Sequence, residues 1–376
     1  MVFSGGGTGG HLYPALALAD ALAAERRDVR PRFVGAQRGL EARVLPERGH
    51  EPLLLDVEGL ARSRPLHNVT VLRKLVAAVR ATAARYRAWR PDLVVVTGGY
   101  AAAPAGLAAV ALRVPLAVQE QNSVPGVTTR LLARWARQVH VAFPEAIGRL
   151  PAPARGRARV SGNPIRTFPD VQATEARTRL GLPEQGVLVL VAGGSQGSRA
   201  LNARVLEAVT AVTEGRLARP HGMQVLWSTG PAHIADVEQQ LDALGAPVWV
   251  HARAYLDDMP LALRAADVAV SRAGAMATSE YLAVGLPAVL VPLPTAAADH
   301  QTHNAAALDA AGAAVCLREA DTSGMDLWEC LLSLLADRGR RDGMAVRARE
   351  RSRPAAAQEI ARDLATLLPP ETSRAA

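Results

Sequence analysis

The sequence contains few cysteines and few aromatic residues, and it lacks a long apolar run. Its two cysteines, Cys316 and Cys330, do not have the spacing of a metal site, so we expect two ordinary reduced core thiols. Aromatic residues make up only 4%, which leaves Leu, Val and Ala to fill the cores. No run reaches the roughly 18 apolar residues of a membrane span, and no secretory signal precedes the first motif. We therefore expect a cytoplasmic protein without a transmembrane segment.

Acidic residues are outnumbered as well, with 35 Asp and Glu against 43 Lys and Arg, a net charge of +8. A basic balance favours nucleic acid, an anionic membrane or phosphorylated substrates as partners. Nucleic acid is not expected, because the arginines are spread along the chain without an aromatic-and-basic RNA-binding signature. The length of 376 residues, 49% of them apolar, predicts about two domains.

Short apolar runs alternate with helical patterns, such as residues 14–25 and 69–89, which predicts parallel sheets covered by helices on both faces. The first series of predicted strands comprises residues 2–4, 32–35, 93–97, 116–119 and 139–142. The second series comprises residues 187–192, 224–228, 248–250, 268–271 and 288–292. Residues 151–169 between them are rich in Pro, Arg and Gly, so we predict domains at 1–164 and 165–353.

The two ends of the chain carry weaker signals. Only four residues precede Gly5, which makes a short central strand and leaves open whether the natural chain starts earlier. A last predicted helix, about 354–370, could return to the first domain. We expect residues 369–376 to be frayed.

Three glycine-rich loops each follow a predicted strand and precede a helix. Their sequences are SGGGTGGH at residues 4–11, TGGY at 97–100 and AGGSQGS at 192–198. Glycine lets backbone amides approach a bound group, and the helix start that follows offers unpaired N–H groups, so such loops suit a phosphate. The alternative is that the glycines only make tight turns. Three loops at the carboxyl ends of parallel strands favour a ligand cleft instead.

Gly5, Gly7 and Gly10 also match the dinucleotide fingerprint G-x-G-x-x-G. A nicotinamide or flavin enzyme would in addition need an acid at the end of the second strand to hold a ribose. Residues 34–38 at that position are VGAQR, without an acid, so this class of enzyme is disfavoured.

An ordered series of motifs resembles the MurG family of glycosyltransferases over nearly the whole chain. The motifs are GGTGGH at 6–11, GGY at 98–100, EQN at 120–122, GNPIR at 162–166, GGSQG at 193–197, RAGA at 272–275, SE at 279–280 and DHQ at 299–301, followed by Asn304. The resemblance implies the GT-B fold, an α/β class with two facing doubly wound parallel-sheet domains. It also implies transfer of N-acetylglucosamine from UDP-N-acetylglucosamine to the muramoyl-pentapeptide C4 hydroxyl of lipid I, giving lipid II with inversion.

The same resemblance implies a donor site mainly in the second domain. Glu280 would accept the ribose hydroxyls, Arg166 would neutralise phosphate charge, and the uracil would meet the backbone of Leu256. The other expected donor contacts are Thr8, Gly9, Gly10, Asn122, Ser195, Ala275, Met276, His300 and Gln301. The departure at Ala277, where relatives often carry a polar residue, leaves fewer side-chain contacts to the donor.

The expected acceptor contacts are Gly7, Gly98, Gly99 and Tyr100. Histidine can titrate near neutral pH, so His11 is either the catalytic base or a contact to the acceptor phosphate, and the sequence does not choose between these roles. His300 and His303 near Asp299 suggest a metal, but no third cluster supports it. We expect no metal and no cofactor, because GT-B sites neutralise the leaving diphosphate with amides and helix dipoles.

A predicted helix at residues 69–90 carries only basic charges: Arg73, Lys74, Arg80, Arg85, Arg87 and Arg90. Arg73, Arg80 and Arg87 recur every seven residues and form one stripe, beside an apolar face of Leu72, Val76, Val79, Ala83 and Tyr86. Such a helix can lie on anionic lipid. We expect its apolar face to pack on the sheet and some basic residues to face the headgroups of the cytoplasmic membrane surface.

Two alternatives to this lipid I transferase stay open. A non-catalytic nucleotide-sugar binding module would keep Glu280 and the phosphate loops but would have no use for His11. A related transferase could act on diacylglycerol or a small acceptor, although the motifs at 98–100 and 120–122 favour lipid I. By resemblance, cell-wall synthesis proteins are candidate partners.

Overall fold

The computed structural model describes residues 1–59 and 67–370, and these form two compact units. The first unit comprises Met1–Ile165 together with a C-terminal segment that starts at Arg353, and the second comprises Arg166–Ser352. The predicted boundary between residues 164 and 165 lies beside the division between Ile165 and Arg166. Most of the tail predicted to be frayed, residues 371–376, lies outside the described residues.

The first unit contains a seven-stranded parallel sheet with the order β3-β2-β1-β4-β5-β6-β7. Its strands are β1 (Val2–Ser4), β2 (Arg32–Ala36), β3 (Leu53–Leu55), β4 (Val94–Val96), β5 (Leu116–Glu120), β6 (Gln138–Val141) and β7 (Ala158–Val160). The helices between them are α1 (Gly9–Glu25), α2 (Glu41–Glu47), α3 (His67–Trp89), α4 (Ala102–Ala111), α5 (Val127–Leu132) and α6 (Ala152–Arg155).

The second unit contains a six-stranded parallel sheet with the order β10-β9-β8-β11-β12-β13. Its strands are β8 (Leu188–Ala192), β9 (Gln224–Ser228), β10 (Val250–Arg253), β11 (Val268–Ser271), β12 (Ala288–Leu290) and β13 (Val315–Cys316). Its helices are α7 (Ala173–Arg179), α8 (Arg199–Thr213), α9 (Ile234–Ala243), α10 (Met259–Ala265), α11 (Ala275–Val284), α12 (His300–Ala310), α13 (Gly324–Ala336) and α14 (Arg338–Arg351).

Both sheets are doubly wound, because the strand order reverses between β1 and β4 and again between β8 and β11. The sequence patterns located the inner strands but missed β3, β7 and β13, all of which lie at sheet edges and are only two or three residues long. So few residues cannot show a strand periodicity. The three-residue β1 is nevertheless fully buried: Val2 packs into the core on one face and Phe3 into the core on the other.

The C-terminal helix α15 (Ala356–Ala365) belongs to the first unit and packs against α1. Its buried side chains, Ala356, Ile360, Ala361 and Leu364, join Leu12 and Leu16 of α1 in one core cluster. Asp363 adds an ion pair with Arg159, at 2.6 Å. The helix is shorter than the predicted span 354–370.

Helix α3 differs from the expectation of a fully packed apolar face. Ala83 and Tyr86 in its C-terminal half are buried, but Leu72 and Val76 are 59% and 45% exposed. The prediction that these two residues pack on the sheet is therefore wrong. Val69 is exposed on the same stretch, so the first turns of α3 present apolar side chains to solvent. Among the described residues, no helix has both the length and the apolar character needed to cross a bilayer.

Candidate active site

The two glycine loops of the first unit meet where its sheet reverses order, at the carboxyl ends of β1 and β4. Gly98 and Gly99 have φ angles of +92° and +78°, which L side chains rarely adopt. A Cβ atom on Gly99 would also collide with the carbonyl oxygen of Gly6. Glycine at this position therefore allows the two loops to touch, and this reversal point is where open α/β sheets bind ligands.

His11 lies between these loops in the first turn of α1, which begins at Gly9, earlier than the predicted start at residue 14. The carbonyl of Thr8 accepts the His11 amide at 3.2 Å. The imidazole Nδ1 lies 3.0 Å from the carbonyl oxygen of Thr97 and 2.8 Å from Oε1 of Gln121. The hydroxyl of Thr97 donates to the His11 carbonyl at 2.7 Å, so two hydrogen bonds connect His11 and Thr97.

The predicted acceptor contacts come together around His11. The ring packs against Gly98 and Gly99, and the ring of Tyr100 lies against Gly7. The pKa of Tyr100 is raised, chiefly by burial and further by the negative charges of Glu41 and Glu58. The expected donor contacts Thr8, Gly9 and Gly10 form the start of α1 beside this group.

A buried carboxylate that the sequence patterns did not reveal holds the first glycine loop. Glu41, in the first turn of α2, accepts the amide of Gly7 at 3.1 and 3.2 Å and the amide of Ala36 at 2.8 Å. Three glycines make room for it, since a Cβ atom would collide with the Glu41 side chain at Gly6, Gly35 and Gly39. An acid thus does follow β2, but its oxygens bind backbone amides inside the protein. The dinucleotide alternative is therefore disfavoured because this acid is already bonded to backbone amides, whereas the sequence argument was that residues 34–38 contain no acid.

Asn122 lies in the loop that follows β5 and is held there by Glu120. Its backbone amide and its side-chain Nδ2 donate to Oε1 of Glu120, at 3.0 and 3.2 Å. The other oxygen of the buried Glu120 accepts the amide of Gly126 at 3.0 Å. Glu120 therefore shapes the loop that presents Asn122.

In the second unit as well, a glycine loop lies where the sheet reverses order, at the carboxyl ends of β8 and β11. Arg272, a buried residue without an assigned role in the sequence analysis, donates to Oγ of Ser198 at 2.6 and 2.9 Å and to the carbonyl of Val291 at 3.0 Å. It is neutralised by an ion pair with Glu319. Ser198 is also the N-cap of α8, so Arg272 connects the glycine loop after β8 to the end of β12. Ser195 lies exposed in this loop.

Helix α11 places three of the expected donor contacts together. Ala275 and Met276 form its first turn, at the positive end of the helix dipole. Glu280 lies in the middle of the same helix, and its Oε1 lies 2.7 Å from Nε of Arg166. Burial raises the pKa of Glu280, and Arg166 opposes that shift. A helix N-terminus, a carboxylate and a guanidinium thus lie close together within one unit.

The remaining expected donor contacts lie at the ends of β10 and β12. Oε1 of Gln301 accepts the amides of Ala273 and Leu293 at 3.2 and 3.0 Å, so only its NH₂ group remains for a ligand. His300 is half-buried, and Nδ1 of its ring lies 2.6 Å from the carbonyl of Ala297. Leu256 is buried just before α10. Within the described ranges, no group of three or more His, Cys, Asp or Glu side chains could hold a metal ion.

Comparison with known proteins assigns both units to one family. The model of the glycosyltransferase family 28 N-terminal domain matches residues 1–141, and that of the C-terminal domain matches residues 188–361. The chain belongs to glycosyltransferase family 28. The family assignment confirms the predicted resemblance.

Relatives of this family 28 chain match it along almost its whole length. The UDP-N-acetylglucosamine--N-acetylmuramyl-(pentapeptide) pyrophosphoryl-undecaprenol N-acetylglucosamine transferase of Salinibacter ruber is 44% identical, covering 96% of this chain and 95% of the relative. The transferase of the same name from Chlorobium luteolum is 40% identical over 96% and 97%. The crystal structure of Acinetobacter baumannii MurG is 29% identical, covers 98% of this chain and 99% of its own, and has a TM-score of 0.76. The predicted GT-B fold class is confirmed.

Sequence reasoning on this family 28 chain missed Glu41, Gln121 and Arg272 as parts of the site. For Arg272 a signal was present, because a charged residue directly after a buried strand is unusual. For Glu41 the signal was a pair of glycines, Gly35 just before the end of β2 and Gly39 just after it. Gln121 stood within the motif at 120–122 but had no assigned partner.

Proposed function

We propose that this chain transfers N-acetylglucosamine from UDP-N-acetylglucosamine to the C4 hydroxyl of the muramoyl-pentapeptide sugar of lipid I. The products are lipid II and UDP, and the anomeric configuration is inverted. The observation that carries the proposal is the grouping of Glu280, Arg166 and the first turn of α11 within the second unit. The activity for which the 44% and 40% identical relatives are named supports the identity of the donor and acceptor.

Each part of this grouping suits one part of a nucleoside diphosphate. The Glu280 carboxylate can accept hydrogen bonds from two vicinal ribose hydroxyls. The amides of Ala275 and Met276 and the positive end of α11 can stabilise the diphosphate, and Arg166 can add a full positive charge. Their combined charge stabilisation lets UDP leave without a bound metal.

The reaction is a displacement at the anomeric carbon. The acceptor hydroxyl oxygen forms a bond to that carbon while the bond to the UDP oxygen breaks, and a base takes the hydroxyl proton. His11 is the candidate base, because its imidazole is held by Thr97 and Gln121 at the reversal point of the first sheet. General base catalysis contributes about 10²–10⁴-fold to such rates.

We also propose that the protein binds peripherally to the cytoplasmic face of the cell membrane, where a lipid-linked acceptor would be found. The first turns of α3 support this, because exposed Val69, Leu72 and Val76 lie on the helix that carries exposed Arg73 and Arg80. Lys74 does not belong to this surface, since it pairs with Asp56 and Glu58. Apolar side chains beside basic ones suit the interface of an anionic bilayer.

One assay tests the function directly. Purified protein is incubated with radiolabelled UDP-N-acetylglucosamine and lipid I, and the product is compared with authentic lipid II. Label in lipid II, lost in the Glu280→Ala variant, is the expected result. Label transferred only to diacylglycerol or to a small acceptor would identify a different transferase. Tight UDP-sugar binding without transfer to any acceptor would identify a binding module.

A further inference from the structure

A network of buried side-chain amides connects Asn163 to His11. Gln119, Gln121 and Asn163 are all buried. Nδ2 of Asn163 donates to the carbonyl of Gln121 at 3.2 Å, and Nε2 of Gln119 donates to Oδ1 of Asn163 at 3.0 Å. Nε2 of Gln121 in turn donates to Oε1 of Gln119. The network therefore has one consistent direction of donors and acceptors.

The surroundings of Gln121 determine which end of its amide faces His11. Its Nε2 lies 2.8 Å from the carbonyl oxygen of Thr97 and 3.3 Å from that of Gln119. Two carbonyl oxygens can only accept, so the NH₂ group must occupy this position. The flipped amide would set its oxygen against both carbonyls and leave them without this donor. Oε1 of Gln121 therefore points to His11.

The tautomer of His11 follows from this orientation. Nδ1 faces the carbonyl oxygen of Thr97 at 3.0 Å and Oε1 of Gln121 at 2.8 Å, both of which are acceptors. A nitrogen between two acceptors must carry the hydrogen, because a lone pair there would be repelled by both oxygens. The neutral ring is consequently the Nδ1–H form, and the lone pair lies on Nε2.

We propose that Gln121 is a positioning residue that holds His11 as its Nδ1–H tautomer, so that Nε2 is the atom that accepts the proton of the attacking hydroxyl. This inference rests on the proposed function. For the neutral ring it favours the role of base over that of a phosphate contact, since Nε2 with a lone pair accepts a proton but does not donate to a phosphate oxygen. After the transfer, the imidazolium keeps its Nδ1–H bonds to Thr97 and Gln121, which stabilise the new charge.

The ring has little freedom to escape this arrangement. A Cβ atom on Gly98 would lie 3.1 Å from Nδ1, and one on Gly99 would lie 3.0 Å from Cδ2. The two glycines predicted as acceptor contacts therefore also form the wall against which the imidazole packs. A 180° rotation of the ring would put Cδ2 in the place of Nδ1 and would break both hydrogen bonds of Nδ1.

The tautomer can be measured without any substrate, by nitrogen-15 spectra of the histidine rings in the full-length protein. The signals of His11 among the nine histidines are assigned by their loss in His11→Asn. We expect a protonated Nδ1 and an unprotonated Nε2 in the neutral ring. The opposite pattern in the wild-type protein would overturn the proposal, and this measurement needs no variant of Gln121.

Variants of Gln121 test its part in positioning. Gln121→Leu removes one of the two acceptors, so the Nδ1–H signal should give way to a mixture of tautomers. Its kcat should fall roughly ten- to a hundredfold with an unchanged KM for the donor, at or below the lower end of the roughly 10²–10⁴-fold that a general base contributes, because His11 itself is kept. The matched control is Gln138→Leu, which removes a 2.9 Å bond to the carbonyl of Asp363 in the same unit and should change neither readout.

The failures of the two proposals are distinguishable. An unchanged kcat and an unchanged His11 spectrum in folded Gln121→Leu would refute the positioning role while lipid II formation continued. A wild-type protein that makes no lipid II would refute the proposed function, whereas the nitrogen spectrum would still report the tautomer.

Discussion

Arg166 and Glu280 form an ion pair, with Nε of the arginine 2.7 Å from Oε1 of the glutamate. The two residues were expected to bind different parts of the donor, the diphosphate and the ribose. A carboxylate oxygen bonded to a guanidinium is less available to a ribose hydroxyl, so we expect donor binding to open this pair. Arg166 is the partner with room to move away, because its side chain is 48% exposed whereas that of Glu280 is 9% exposed.

Arg166→Gln should therefore affect two ligands in opposite directions. Uridine has no phosphate, so its affinity should rise by up to about fivefold, the equivalent of the roughly 1 kcal/mol that a partly exposed pair contributes. UDP should bind about tenfold more weakly, because a charge-assisted contact worth about 1.5–3 kcal/mol is lost. Calorimetric titration with both ligands measures this. The control is Arg179→Gln, which breaks an exposed pair with Glu175 and should leave both affinities unchanged, and equal weakening of uridine and UDP would contradict the idea of a competing pair.

The pH dependence of stability should reveal the buried carboxylate of Glu280. Its pKa in the folded protein is raised above the usual 4.5, chiefly by burial, so the folded state holds this proton more tightly than the unfolded state. The group's favourable contribution is fully present below pH 4.5 and is lost as the pH rises through the folded pKa. Glu280→Gln should thus gain thermal stability relative to wild type between pH 4 and 7, while it binds UDP more weakly. A difference in Tm that does not change with pH would count against this assignment.

Glu41→Gln tests the internal carboxylate. Oε1 accepts the amides of Gly7 and Ala36, and Oε2 accepts the amide of Gly7, so the NH₂ group of a glutamine would face at least one of these donors. Losing a buried hydrogen bond to such a contact costs about 1–3 kcal/mol, so the free energy of unfolding should fall by this amount. Denaturant titration measures the loss, and Glu47→Gln on the exposed side of the same helix is the control. Equal stability of both variants would remove Glu41 from this role.

Transfer activity should persist in the presence of EDTA. The expected charge stabilisation of the diphosphate comes from the α11 amides and Arg166, without a cation. Initial rates with and without the chelator measure this. Loss of activity that added magnesium or zinc restores would show that the reaction needs a metal.

The α3 surface can be tested with vesicles of anionic lipid. Replacing Arg73, Arg80 and Arg87 with Gln should lower partitioning by roughly two orders of magnitude, since each basic residue near such a surface contributes about 1 kcal/mol. Transfer to a short-chain, water-soluble lipid I analogue should hardly change. The matched control replaces three exposed arginines of α14 in the second unit, namely Arg338, Arg340 and Arg347. If both triple variants lose the same affinity, net charge alone explains binding, and α3 has no special part in it.

Local sequence patterns were sufficient for the inner strands and the glycine loops. Strand periodicity and glycine preferences act over a few residues, so they can be recognised without knowing what lies nearby in space. The exposed Val69, Leu72 and Val76 could not be recognised in this way. An apolar face looks the same in sequence whether a neighbouring helix covers it or not.

The sequence by itself determined the order of the inner strands along the chain, their alternation with helices and the residue types at each glycine loop. The tertiary structure decided which of these side chains meet. Gln121 reaches His11 across 110 positions because β1, β4 and β5 lie side by side in the sheet and their carboxyl ends share one edge. Glu41 reaches the first glycine loop for the same reason, since β2 lies beside β1. Pairings of this kind depend on strand order and close packing, and these arise only when the whole sheet has formed.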